Sequence, residues 1–133
     1  ITKPENDAAV QLADTSIQGG ENAIFVNRTL RSGYNLSYQG HVTVIGDVNP
    51  GAEIIASGSI IVWGRLQGLV HAGAEGDENV FVCALDLRPT QIRIAGQIAD
   101  FNLRNTRLKL QPEIVYKQEG RLIREPWKPK KGK

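Results

Sequence analysis

Between residues 40 and 76, apolar residues recur every six positions. Stepping from Val42 lands on Val48, Ile54, Ile60, Leu66 and Ala72, and two places before each of these stand Gly40, Gly46, Ala52, Gly58, Gly64 and, as the bulky exception, Val70. A short apolar pair, a small residue and a polar corner in every six residues cannot be a helix of period 3.6, and one such unit buries nothing alone. Three hexads make eighteen residues, and at that distance Val42 aligns with Ile60, Val44 with Val62, Gly46 with Gly64 and Val48 with Leu66. The pattern predicts three short strands per turn, stacked as a triangular β-helix whose turns lie about 4.8 Å apart. The expected inward residues are Val42, Val44, Val48, Ile54, Ala56, Ile60, Val62, Leu66, Val70 and Ala72. Asn49-Pro50-Gly51 has the composition of a turn at one corner.

The flanks differ from the repeat. Residues 1–22 are polar and mixed in charge, which suits a linker from a preceding domain. Ile24-Phe25-Val26 reads as a strand, Arg31-Ser32-Gly33 as a polar turn, and Leu36-Ser37-Tyr38 as the entry to the hexads. After the repeat come a strand over Val80–Leu87 and another over Gln91–Ala95, where Ile92 and Ile94 extend the inward ladder. Gly96 followed by Ile98 repeats the spacing at Gly46 and Gly64, so a further coil is expected after the insertion at Gly76-Asp77-Glu78-Asn79. Pro112–Trp127 has the form of a hairpin with its turn at Gln118-Glu119-Gly120. The expected β-helix domain spans residues 23–125, and residues 126–133, with four lysines beside Trp127, read as a basic, solvated tail.

Strand alternation sends one set of side chains in and the other out. With Ile54, Ile60, Val62, Val70, Val82 and Ala84 inside, the outward set includes Ile55, Ile61, Trp63, Leu69, Phe81, Cys83 and Leu85. An apolar outer face of that extent marks a partner surface, here an expected dimer interface. The competing reading is that the C-terminal segment covers it.

Composition narrows the function classes. A net charge of +2 gives no argument for nucleic acid. No apolar run reaches membrane-spanning length and no charged leader precedes an apolar stretch, so a cytoplasmic location is expected. Cys83 is the single cysteine, and no second sulfur or paired histidine stands at metal-ligand spacing, so neither metal nor cofactor is expected. Ile1 as first residue and the lack of methionine suggest a piece of a longer protein.

Several stretches together, NRTLRSG at 27–33, GDVNPGAEIIASGSIIVWGRLQG at 46–68, HAGAEGDE at 71–78 and QIRIAG at 91–96, resemble the C-terminal domain of the bacterial septum-site-determining protein MinC. The resemblance covers residues 24–124. It implies a right-handed, dimerising β-helix without enzymatic activity. It also implies binding to the ATPase MinD, which brings MinC to the membrane, where it antagonises assembly of the tubulin-like FtsZ, mainly through an N-terminal domain. Membrane contact would then be indirect. The family's MinD-contacting motif, Arg-Ser-Gly-Gln, falls on Arg31, Ser32, Gly33 and Tyr34, with the last position departing from it. An exposed Tyr34 ring would serve as an anchor on the partner; otherwise it folds back onto the strand from Leu36. Asp47 and Glu53, flanking the Asn49-Pro50-Gly51 corner, join the expected contact.

Two other classes share a strict hexad. Left-handed β-helix acyltransferases use a histidine between coils, but His41 and His71 are five hexads apart and fall on different prism faces. A bactofilin-like scaffold would polymerise without limit, where the MinC reading expects a closed dimer.

Overall fold

The computed structural model describes residues 22–99 and 111–128. Among them there are strands and no helix, and hence no helix long and apolar enough to cross a membrane. Most of the expected linker at 1–22 and of the tail at 126–133 lies outside the described residues, as does 100–110 within the expected domain.

The hexads fold as their period requires. Strands β1 (Ala23–Val26), β3 (His41–Ile45), β5 (Ile60–Leu66) and β7 (Phe81–Leu87) stack in parallel on one side. Strands β2 (Asn35–Tyr38), β4 (Glu53–Ala56), β6 (Leu69–Ala72) and β8 (Gln91–Ile94) stack in parallel on a second. The third side is narrow: single bridges join Leu30 to Val48 and Val48 to Leu66, and Leu66 pairs with Leu87. All ten residues expected inside are buried, and Leu30, Leu87, Ile92 and Ile94 join them. The core is thus a set of ladders, Val42–Ile60–Val82 from the first side, Ile54–Val70–Ile92 from the second and Leu30–Val48–Leu66–Leu87 from the third. Each fully buried Val, Leu or Ile contributes about 1.5–3 kcal/mol relative to exposure.

The eighteen-residue step holds between the first and second coils on every side and changes further along the stack. Ile54 faces Val70, sixteen positions on, because the Asn49–Ala52 turn has no counterpart after Leu66. Between β6 and β7 the chain makes a loop, so Ile60 faces Val82, twenty-two positions on.

The further coil expected after the insertion is present as β7 and β8, paired parallel with β5 and β6, and among the described residues no parallel strand follows Gly96. The chain reverses at Ala95, whose φ is 53°, and β9 (Gln97–Ile98) runs antiparallel to β8, with Ile98 exposed. Glycine spacing alone could not reveal a reversal, because the same residue serves a prism corner and a hairpin. The C-terminal segment forms the expected hairpin, β10 (Glu113–Gln118) and β11 (Arg121–Pro126), turning at Glu119 and Gly120, both with positive φ. It does not lie over the apolar face. Instead β10 pairs antiparallel with the edge of β7, so the first sheet runs β1-β3-β5-β7-β10-β11. Strand order also passes the expected domain end at 125: β11 includes Pro126, and the Trp127 amide donates to the Pro112 carbonyl at 2.9 Å.

The corners depend on close backbone approach. A methyl group added at Gly64 would run into the carbonyl of Gly46 in the preceding coil, whereas one at Gly96 would meet nothing. Gly64→Ala should therefore cost about 1–3 kcal/mol through overpacking, and Gly96→Ala should stay within about 0.5 kcal/mol of the parent. Urea unfolding of the two variants checks the contrast.

Candidate interaction surfaces

The Arg31–Tyr34 turn sits where the narrow side meets the second sheet, held from within its own coil and from the next. The Tyr34 amide donates to the Arg31 carbonyl at 2.9 Å, the Gly33 amide to the Gly51 carbonyl at 3.0 Å, and the Glu53 amide to the Tyr34 carbonyl at 3.0 Å. Gly33 has φ +90° and open space above its Cα, so another backbone can approach it closely. Arg31 and Ser32 are exposed beside it. A fixed turn thus presents a guanidinium, a hydroxyl and a bare backbone, which are tools for gripping a carboxylate or a peptide group.

The neighbouring acids are more occupied. Asp47 flanks Val48 on the narrow side as Arg31 flanks Leu30, and its Oδ1 accepts the Arg65 amide at 2.8 Å. One carboxylate oxygen therefore ties its coil to the next. Glu53 begins β4, half-buried, with Asn35 and Leu69 as its strand partners.

Tyr34 departs from the expected exposed anchor. Its ring is half-buried against the core, and the Arg28 guanidinium lies over it at 5.0 Å from the centroid. The reason is positional. Tyr34 belongs to the first coil, where no preceding described coil packs below it, and a large ring gains more by covering apolar surface than by standing in water.

The outer face of the first sheet forms a second surface. Pairing aligns Phe25, Thr43, Ile61, Cys83 and Ile114 in one row across the strands, and Ile45 beside Trp63 in the next. Of the residues expected at a dimer interface, Ile61, Trp63, Phe81, Cys83 and Leu85 meet here. With Pro112, Ile114 and Trp127 they line a groove of about 440 Å³. Ile55 and Leu69 do not belong to it. They point outward from β4 and β6 in the other sheet, among Ser37, Glu53, His71 and Gln91. Outward parity is the same on every side of a prism, so alternation alone cannot separate the faces. Phe25, 79% exposed, was not singled out in the sequence, although the parity of Ile24 and Val26 would have marked it. Burial pushes the Cys83 thiol above its ordinary pKa, which disfavours a reactive thiolate.

The histidines and the buried Asp86 are committed to structure. His41 Nδ1 accepts the Ser59 amide at 2.9 Å, and His71 Nε2 lies 2.7 Å from the Ala95 carbonyl on the other sheet. Asp86 binds Arg65 Nε at 3.1 Å and Arg88 Nε at 2.8 Å. Among the described residues, no group of acidic, histidine and cysteine side chains forms a metal site.

Residues 24–127 match the family model described as the septum formation inhibitor MinC, C-terminal domain. The chain is 45% identical over 105 residues to a probable septum site-determining protein MinC of Gloeobacter violaceus, covering 79% of this chain and 37% of that one. It is 38% identical over 130 residues to the probable MinC of Acetivibrio thermocellus, covering 96% of this chain and 57% of that one. The chain thus spans about a third to just over half of these relatives' lengths. Among solved structures, the MinC:MinD cell division protein complex of Aquifex aeolicus is similar, with a TM-score of 0.74 and 30% identity over 83% of this chain and 90% of that one.

The Tyr34 geometry has a direct consequence. Tyr34→Phe should leave the melting temperature near the parent's, because ring packing and the cation–π contact survive. Tyr34→Ala should destabilise the domain by about 2–4 kcal/mol, in the range for removing a large, partly buried ring. Thermal unfolding of the two variants separates this from a purely surface role.

Proposed function

Because this chain belongs to the MinC C-terminal domain family, we propose that it is the dimerising, MinD-binding part of a septum-site-determining protein. The similarity to the chain in the MinC:MinD complex supports this reading most directly, since it spans most of both chains. In this reading Arg31, Ser32 and Gly33 contact MinD, with Asp47 and Glu53 at the margins. Tyr34 and Arg28 shape the turn from behind. MinD recruits the domain to the inner face of the membrane from the cytoplasm. There the whole protein blocks FtsZ assembly at wrong sites, mainly through the domain that precedes this one in its relatives. The role is regulatory rather than enzymatic.

Self-association uses the outer face of the first sheet, from the groove toward Phe25, and the coil is right-handed. An apolar surface of this breadth, with Trp63 60% exposed, is costly to leave in water. An isologous pairing of two such faces buries it and closes the assembly at two subunits. The antiparallel strands at the C-terminal end of the coil work against the open-ended stacking of a scaffold filament.

Two measurements test the proposal. Arg31→Ala should sharply reduce co-sedimentation with MinD and ATP on anionic vesicles while shifting stability by no more than about 1 kcal/mol, as for an exposed charge. Undiminished binding would move the MinD contact elsewhere. Replacing Ile61 and Trp63 with aspartate and glutamate should yield a folded monomer by sedimentation. A double variant that remains dimeric with an unchanged circular dichroism spectrum would assign the interface to another face.

A further inference from the structure

The apolar groove has two walls of different origin. Ile61, Phe81 and Cys83 come from the coil, whereas Pro112, Ile114 and Trp127 come from the hairpin and the residues flanking it. The coil wall is held in register by ladders of stacked residues. The hairpin lies outside the hexads, and Val115, buried opposite Val82, is the residue by which β10 continues an inward ladder. A one-residue slip of β10 would exchange its faces, turning Ile114 and Tyr116 toward the core and Val115 outward. The groove would then lose a wall.

A buried polar contact adds to the packing of Val115 in distinguishing the observed register, and it also tells this register from a two-residue slip, which would leave Val115 facing inward. Glu113, on the core side of β10, is 1% exposed, and the Arg124 side chain of β11 is 14% exposed. Arg124 Nη2 donates to Glu113 Oε1 at 2.9 Å and to the Leu87 carbonyl at 2.9 Å, and its Nε donates to Oε2 at 3.3 Å. One guanidinium therefore joins both hairpin strands to the last residue of β7. The other ties, Lys117 to Glu78 at 2.9 Å and Gln97 to the Gly120 carbonyl at 3.0 Å, lie toward solvent and constrain less. A buried ion pair is a poor source of net stability, because desolvation offsets most of the Coulomb attraction. It selects among arrangements well, because any mismatch leaves a buried charge uncompensated.

We propose that Glu113, Arg124 and the Leu87 carbonyl form a register latch. It positions the hairpin so that Pro112, Ile114 and Trp127 complete the self-association groove. The latch is a positioning device for the dimer and rests on the reading of that face as the dimer interface.

Cys83 supplies an internal reporter, since it is the single cysteine and stands opposite Ile114 in the β7–β10 pairing. In an Ile114→Cys variant, oxidised glutathione should drive a disulfide to Cys83 when the latch is intact, because opposed antiparallel residues have nearby Cβ atoms. Adding Glu113→Leu and Arg124→Met should largely abolish that disulfide. In the otherwise native chain, the same pair of changes should keep or raise the melting temperature while weakening the dimer about tenfold or more. If the double change prevents folding, Glu113→Gln alone should move both readouts in the same direction. Absence of the disulfide with the latch intact would overturn the register itself. A native chain that is monomeric at all concentrations would overturn the dimer reading, and with it the purpose of the groove. A dimeric chain whose latch-free variants match it in cross-linking and in affinity would overturn the latch alone.

Discussion

Stacking like residues in register on three sides is the constraint on which the rest of this structure depends. Each coil must place one apolar side chain above its counterpart at every inward position, at the spacing of paired strands. Val42 above Ile60 and Val48 above Leu66 are instances of one rule applied to different sides. That rule also explains the corners. Where Gly64 passes the Gly46 carbonyl, a Cβ would force the coils apart, and every ladder above the corner would lose contact.

A stack of this kind has two ends, and the described residues treat them differently. At the C-terminal end, β9 turns back on one sheet and the β10–β11 hairpin continues the other, replacing parallel pairing with antiparallel pairing. The next coil of a repeat can no longer be added in the same way. At the opposite end, Tyr34 covers part of the core and Arg28 lies over its ring, so aromatic packing does there what strand pairing does at the other end.

The two candidate surfaces use different properties of the prism. The Arg31–Tyr34 turn lies at a corner, where the backbone is exposed but held by hydrogen bonds to the next coil. The groove lies on a flat side, where alternation places many apolar groups in rows. Because they occupy different sides, a partner on one need not compete with a second copy on the other. This separation suits the proposed combination of self-association and recruitment.

The six-residue period by itself determined the triangular coil and its inward residues, because both follow from local alternation and turn chemistry. Ile54, Ile60 and Leu66 could be placed in the core from their spacing alone. The resemblance around Arg31-Ser32-Gly33 likewise lay in a contiguous stretch. The tertiary structure decided which outward residues become neighbours. Ile61 joins Cys83 and Ile114, while Ile55 lies on another side, because neighbours across coils depend on corner lengths and insertions that change the step from eighteen to sixteen or twenty-two. It also decided the reversal at Ala95, the edge-on docking of the hairpin and the inward turn of Tyr34. These are contests between ways of burying the same apolar surface, and a local pattern cannot rank them because their outcome depends on atoms distant in sequence.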